Sequence, residues 1–167
     1  MINYTTLESK YGKFGLVRNA KGLLKIYLPN EPQSLSNLIQ QYPNQELIEN
    51  NSKFRNVIKQ LNEYFDGNRK DFEIDIDLDV SSFYKKVLIE VSKVPYGNTA
   101  SYSDIAHRVD KTKAVRAVGS ANARNPIPII IPCHRIITKS GMLGGYRGGL
   151  PMKENLLKFE SNNLNIN

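Results

Sequence analysis

Hydrophobic and polar positions alternate along the first part of the chain in short stretches. Residues 12–18 and 22–28 are β-prone runs on either side of Asn19-Ala20-Lys21-Gly22, which predicts a hairpin turning at that tetrapeptide. Helices follow over Ser34–Gln41 and Ser52–Phe65, each opening on a residue suited to cap a helix. The second places Phe54, Val57, Ile58, Leu61 and Phe65 at helical spacing and stops at Gly67. From Phe72 the period changes to two: Phe72, Ile74, Ile76, Leu78 and Val80 alternate with Glu73, Asp75, Asp77 and Asp79. That alternation predicts a strand or an extended linker with one acidic face, and solvation of that face explains it better than a metal site. We place a domain boundary here, dividing the chain into 1–79 and 80–167.

Beyond the boundary the pattern predicts a helix over Ser82–Lys93, a turn at Pro95-Tyr96-Gly97-Asn98, and a helix over Tyr102–Val109. Ser101 and Asp104 are spaced as a capping pair for the last of these. Thr112 is then expected to cap a helix over Lys113–Ala123, joined to its predecessor by a tight Asp110-Lys111 connection. Two short helices so connected read as a helix-turn-helix or as a plain helical hairpin. The second is rich in small residues, which permit close approach to a groove, and Arg116 is its long projection. Asn125 to Pro132 is too rich in proline for a helix and leads into Cys133-His134 and the β-prone Ile136-Ile137. A glycine-rich loop carrying Tyr146 and Arg147 follows, and a last helix, Met152–Phe159, ends at Glu160.

Charge sharpens this picture. Of the net charge of +7, residues 1–80 contribute −1 (ten Lys/Arg, eleven Asp/Glu) and residues 81–167 contribute +8 (thirteen and five). A basic excess confined to one half reads as a surface for a polyanion, with nucleic acid the foremost candidate and a merely solvated basic face the alternative. No apolar run reaches the ~20 residues of a membrane span and the start of the chain lacks a signal-peptide core, so a cytoplasmic location is expected. With one cysteine and two histidines, neither an internal disulfide nor a structural zinc site is expected, and no metal or cofactor is called for.

The cysteine itself is the candidate for chemistry. It sits in Ile131-Pro132-Cys133-His134-Arg135, where a neighbouring imidazole could keep a thiol of ordinary pKa about 8.5 ionised at neutral pH. An inert buried cysteine is the plainer alternative.

The string Asn125 to Ile137, followed by Gly144-Gly145-Tyr146-Arg147-Gly148-Gly149-Leu150, resembles the O6-alkylguanine-DNA alkyltransferases, also called methylated-DNA–protein-cysteine methyltransferases. The likeness covers residues 80–161, including Ser101-Tyr102, Ala114-Val115-Arg116-Ala117-Val118-Gly119 and Leu156-Leu157-Lys158-Phe159-Glu160. Residues 1–79 share only length and the order of strands before helices.

The resemblance implies a ribonuclease H-like α/β N-terminal domain with an antiparallel sheet, and a mainly α C-terminal domain with a winged-helix-like helix-turn-helix. It implies a monomer acting on double-stranded DNA, with a single irreversible transfer of an alkyl group from guanine O6, or from thymine O4, to Cys133. His134 and Glu160 would complete a cysteine, water, histidine, glutamate chain, because neighbours in an extended segment point to opposite faces and the imidazole should not touch the sulfur directly. Asn125 would brace the active-site turn through backbone hydrogen bonds, and Arg135 would be a structural ion-pair partner. Arg116 would fill the gap left by the extruded base, Tyr102 would lie near the 3′ phosphate and donate toward guanine N3, and Ala114, Ala117 and Ala121 would allow close approach to DNA. Backbone groups of Cys133 and Ile136, with the Tyr146-Arg147 loop, would read the base. Many relatives have serine where Arg147 stands, which bears on pocket size. The rival readings are a cysteine hydrolase using Cys133, His134 and Glu160, separable by turnover, and a non-catalytic alkyltransferase-like damage-binding protein, against which the thiol argues.

Overall fold

A computed structural model describes residues 1–32 and 34–164. Its contacts divide the chain into two compact units, Met1–Asp79 and Val80–Asn167, whose last three residues lie outside the described ones.

The first unit is built on a four-stranded sheet of order β3-β2-β1-β4. Strands β1 (Ile2–Ser9), β2 (Gly12–Arg18) and β3 (Leu23–Tyr27) form an antiparallel meander. The expected hairpin is β2–β3, closed by Asn19, whose Oδ1 accepts from the amides of Lys21 (2.9 Å) and Gly22 (3.0 Å). Strand β1 escapes the sequence reading because its polar Asn3, Thr5 and Thr6 interrupt the apolar pattern, yet Asn3 and Thr5 are buried. The sheet is mixed rather than wholly antiparallel: after helix α1 (Leu38–Gln41), the short β4 (Leu47–Glu49) joins β1 in parallel.

Helix α2 (Arg55–Phe65) buries Val57, Leu61, Tyr64 and Phe65, and the Phe65 ring lies 5.3 Å from that of Phe14 on β2. Its entry is a 3-10 turn over Asn51–Phe54 capped by Asn50, not by Ser52. Likewise Ser34 makes no side-chain cap, and the segment it opens is a 3-10 turn leading into the single turn of α1.

The alternating segment after Phe72 is extended, bridging β3 only at Leu23–Ile76. Buried Gln60 pins it by donating to the Glu73 carbonyl (2.9 Å) and accepting from the Glu73 amide (2.8 Å). Its pairing is too short for a strand, and Ile76 stays 38% exposed.

The second unit is mainly helical. Helix α3 (Ser82–Ser92) is capped by Ser81, and the strand-like pair β5 (Ala100–Ser101) precedes α4 (Tyr102–Arg108). Ser101 and Asp104 form the anticipated reciprocal capping box. Helix α5 begins later than expected, at Val115, and ends at Ala123; its first turn is preceded by Ala114, and Thr112 does not cap it. The connection therefore spans residues 109–114, with Asp110 turning the chain at φ 56.

Helices α4 and α5 pack on each other and α5 packs on α3, where the Tyr84 hydroxyl meets Ser120 (2.9 Å) and accepts from Arg124 (2.8 Å). The two-residue β6 (Ile136–Ile137) pairs in parallel with β5, which sets the start of α4 beside the segment leaving the cysteine. Helix α6 runs from Leu150 to Leu164, so Glu160 lies within it and not at its end. No helix among the described residues is long and apolar enough to cross a membrane.

Candidate active site

The approach to the cysteine is a compact loop braced by one side chain. Asn125, buried at the end of α5, donates through Nδ2 to the Ile131 carbonyl (2.8 Å) and accepts through Oδ1 from the Ile127 amide (3.0 Å). Within that loop Ile129 holds φ 74, a left-handed backbone that a β-branched residue adopts only under constraint, and its side chain is buried. The loop closes with the Ile131 amide donating to the Ile127 carbonyl (2.9 Å) and the Cys133 amide donating to the Ile131 carbonyl (2.8 Å).

Cys133, His134 and Arg135 occupy one 3-10 turn rather than the extended segment foreseen, and all three are buried. His134 Nε2 lies 2.8 Å from Glu160 Oε1, with both side chains fully enclosed. Arg135 donates to the same carboxylate through Nε (2.9 Å, Oε2) and Nη2 (2.9 Å, Oε1), and through Nη1 to the Val94 carbonyl (2.7 Å). The Gly97 amide supplies a further donor to Oε2 at 3.1 Å. Gly97 stands at φ 74, where a Cβ would also run into the Leu164 side chain at 2.3 Å, so a glycine is required to bring that amide in.

This donor set decides the ionisation of the group. Burial alone would raise the Glu160 pKa, but the hydrogen bonds and charges of His134 and Arg135 outweigh it and hold the carboxyl far below the usual carboxylate range. Burial pushes the His134 imidazole below its ordinary value against the pull of Glu160, with the Arg135 and Lys153 charges adding to the depression. A neutral ring facing a carboxylate places its proton on Nε2, which leaves the lone pair on Nδ1. Nδ1 is buried and has no hydrogen-bond partner among the described residues.

The thiol does not behave as its neighbour in sequence suggested. Burial raises the Cys133 pKa, and Asn125, Arg147 and Lys153 pull it back only in part. The resting group is a thiol, and ionisation belongs to the reaction rather than to the resting site.

Lys153, on α6, is the functional side chain that sequence reasoning missed. It is fully buried, and its ammonium donates to the Ile136 carbonyl (2.6 Å) and the Gly145 carbonyl (3.2 Å). Burial lowers its pKa to about 8, offset partly by the Cys133 charge. A signal existed: Lys153, Leu156 and Glu160 fall on one helical face, the face that α6 buries.

Beside this cluster opens a cavity of about 480 Å³ lined by Tyr102, Gly119, Asn122, Ala123 and the loop Gly144–Arg147. Of the residues expected to form a base pocket, Tyr146 and Arg147 line it; Ile136 lies outside its wall, joined to it through the Lys153 bridge to Gly145. Gly144, at φ 70, permits the loop to close on Tyr102, since a Cβ there would stand 2.6 Å from the Tyr102 hydroxyl. Burial raises the Tyr102 pKa, the Cys133 charge adds to the rise, and Asn122 opposes it.

Arg116 and Ala117 are exposed on α5 and Ala114 is partly so at its start. Ala121 is completely buried, a correction to its expected place on the DNA-facing side: it falls on the face of α5 that also buries Val118 and Asn122. The structure thus brings Cys133, His134, Glu160 and Asn125 into one cluster, and sets Arg116 apart on an outer helix face.

Comparisons with known proteins agree with this division. The pattern of the 6-O-methylguanine DNA methyltransferase ribonuclease-like domain matches residues 2–78, and that of the DNA-binding domain of the same proteins matches residues 82–162. A methylated-DNA–protein-cysteine methyltransferase of Methanosarcina barkeri is 41% identical over 96% of this chain and 98% of its own. The inducible one of Bacillus subtilis is 37% identical over 95% of this chain and 90% of its own. The crystal structure of Mycobacterium tuberculosis OGT in complex with DNA superposes with a TM-score of 0.86 at 34% identity, covering 96% of this chain and 94% of that one. The likeness extends through both units at these identities, so the chain belongs to the methylated-DNA–protein-cysteine methyltransferase family.

Proposed function

We propose that this protein repairs DNA by moving an alkyl group from O6 of guanine in a duplex onto Cys133, once per molecule. The observation that carries the reading is the fully buried His134–Glu160 pair, 2.8 Å apart, whose histidine directly follows the cysteine, in a unit that also carries helices α4 and α5. A thiol raised by burial needs a base within reach as it attacks, and the unpartnered His134 Nδ1 is such a base.

In the transfer, Cys133 Sγ bonds to the alkyl carbon as the carbon–O6 bond breaks, and the electron pair of that bond moves onto the base. The thiol proton passes through a bridging water to His134 Nδ1. Glu160 offsets the charge that develops on the imidazole, while Arg135 and the Gly97 amide hold the carboxylate in place. Tyr102 gives its hydroxyl proton to guanine N3 as the base takes up negative charge, and the tyrosinate so formed regains a proton from the imidazolium of His134, so that the net movement is one proton from Cys133 Sγ to the base and the restored base leaves neutral. The Cys133 thiolate is a poor leaving group from the alkyl carbon of the resulting thioether, so the protein is consumed.

Chemistry at O6 requires the nucleotide to leave the stack, at a few kcal/mol. Arg116, exposed on α5, fills the gap in this reading, with Ala114 and Ala117 allowing α5 to approach the duplex. One copy suffices, since the residues 80–164 carry the thiol, the base-binding cavity and the α4–α5 surface. The setting is the cytoplasm, and O4-alkylthymine is a second substrate.

Intact-mass measurement after incubation with excess duplex carrying O6-methylguanine tests the reading. One added methyl, located on Cys133 by peptide mapping, is expected. Continued turnover without added mass overturns it.

A further inference from the structure

Arg124 stands at the end of α5 with its guanidinium held by two hydroxyl groups instead of a carboxylate. Its Nη1 donates to the Tyr84 hydroxyl on α3 (2.8 Å) and to Ser120 Oγ one turn back on α5, and those two hydroxyls are hydrogen-bonded to each other at 2.9 Å. Among the described residues no acidic group pairs with Arg124, and its Nε and Nη2 make no hydrogen bond. The side chain is exposed. Ordering a long surface side chain costs rotamer entropy, and here that cost is met in the folded protein before any ligand arrives. A planar fork fixed at one nitrogen, with donors still available and no counter-charge, matches the geometry of a phosphate.

We propose that Arg124, oriented by Tyr84 and Ser120, binds a backbone phosphate of the duplex flanking the lesion and so anchors the far end of α5 on the DNA. The inference rests on the alkyl-transfer reading above, to which it adds a binding residue and two residues that position it. Arg116, Ser120 and Arg124 recur at every fourth residue, so both arginines rise from one side of α5, about 12 Å apart along its axis. With Arg116 in the gap left by the base, a cation that far along the helix meets the sugar–phosphate backbone, where contacts set register and orientation without reading sequence. The basic excess of residues 81–167 draws a duplex in, but exposed lysines such as Lys85 and Lys86 on α3 are point charges on flexible stems and fix no orientation. Through Tyr84 the anchor is tied to α3 as well as α5. A recognition helix held at both ends resists withdrawal of Arg116 as the base stack closes, so the contact acts on the lifetime of the extruded state.

The test couples the protein side chain to one phosphate. Second-order rate constants for methyl transfer to the full chain are measured with O6-methylguanine duplexes in which one linkage at a time, on either strand around the lesion, is an uncharged methylphosphonate. One linkage should slow the wild type by about tenfold, the worth of a charge-assisted hydrogen bond. Arg124→Ala should be slower by about as much on the unmodified duplex and lose no more than about twofold further at that linkage. Its rate should also fall less steeply with salt, by about 0.9 in the logarithmic slope, as expected for one phosphate contact fewer. Tyr84→Phe keeps the charge and loses the orienting hydroxyl, so its loss should be smaller, confined to the same linkage, and without change of salt slope. A mere tie between α3 and α5 would instead lower thermal stability and slow transfer at every linkage alike. Should Arg124→Ala fail to fold, Arg124→Gln gives the same comparison. Equal sensitivity of the wild type and a folded Arg124 variant at every linkage overturns the inference while leaving the repair reading intact. Absence of transfer from the unmodified duplex by the wild type removes the repair reading and this inference with it.

Discussion

His134 Nε2 and Glu160 Oε1 lie 2.8 Å apart with no part of either side chain exposed, and the same carboxylate is held bidentately by Arg135. Substituting Glu160 therefore acts on two partners at once, the imidazole that becomes charged in the reaction and the standing charge of Arg135. Glu160→Gln should slow transfer to Cys133 by about tenfold or more, because a neutral amide cannot offset an imidazolium. It should also destabilise the fold by about 3 kcal/mol, since the buried Arg135 loses its counter-charge. Single-turnover kinetics and urea unfolding check the two effects separately. A folded variant reacting at the wild-type rate would make Glu160 a partner of Arg135 alone.

The same pair sets the response to acid. Glu160 has a folded pKa below its unfolded value of about 4.3, so its contribution is complete above that pH and is lost as pH falls toward the folded value. His134 is also lowered, so the unfolded chain binds the extra proton and stability declines as pH falls below about 6.5. Urea midpoints should therefore drop from pH 7 to 5 and more steeply below 4.5, and the lower limb should flatten in Glu160→Gln.

Lys153 contributes a buried positive charge that favours thiolate at Cys133. Its removal in Lys153→Met should move the pH profile of Cys133 alkylation by iodoacetamide upward by about half a unit or more. In the wild type the ammonium itself titrates at about 8, so its help should fade above that pH. An unshifted profile would confine Lys153 to bridging the Ile136 and Gly145 carbonyls.

Binding and chemistry should separate by mutation. Cys133→Ala should bind duplex DNA and never be alkylated. Arg116, exposed on α5, lies outside both the thiol cluster and the cavity wall. Arg116→Ala should react with a free O6-alkylguanine base within about twofold of wild type but lose about tenfold or more on duplex DNA, which alone needs an extruded base held out. Equal losses on both would assign Arg116 to the fold.

Gly144 offers a test of the cavity itself. An added Cβ would stand 2.6 Å from the Tyr102 hydroxyl at a φ of 70. Gly144→Ala should cost about 1–3 kcal/mol and displace Tyr102 or the loop, lowering transfer from DNA more than reaction with iodoacetamide. Equal retention of both activities would mean that the loop yields without disturbing the site.

Elements whose stability is local were legible along the chain. The β2–β3 hairpin declares itself by its turn, α2 by its apolar spacing, and α4 by the Ser101–Asp104 box, because each depends on contacts a few residues apart. Cys133, His134 and Glu160 could be named through their motif. Strand β1 could not, since its polar Asn3 and Thr5 are buried only by the rest of the fold, and neither could β4, whose parallel pairing is with the distant β1.

Three properties of the site were decided by tertiary structure alone. The cysteine is held as a thiol, because its pKa depends on burial and not on the histidine beside it in sequence. Glu160, 26 residues from His134, meets it because α6 turns one face inward, and that same face buries Lys153. Asn122 and Ala121 are neighbours on a short helix whose outward face could be guessed as a binding surface, yet both point to the interior. Sequence determines which chemical groups are available and which short segments can order themselves. Distance, solvent exposure and charge state arise from the packing of remote segments, and reactivity in this protein follows those three.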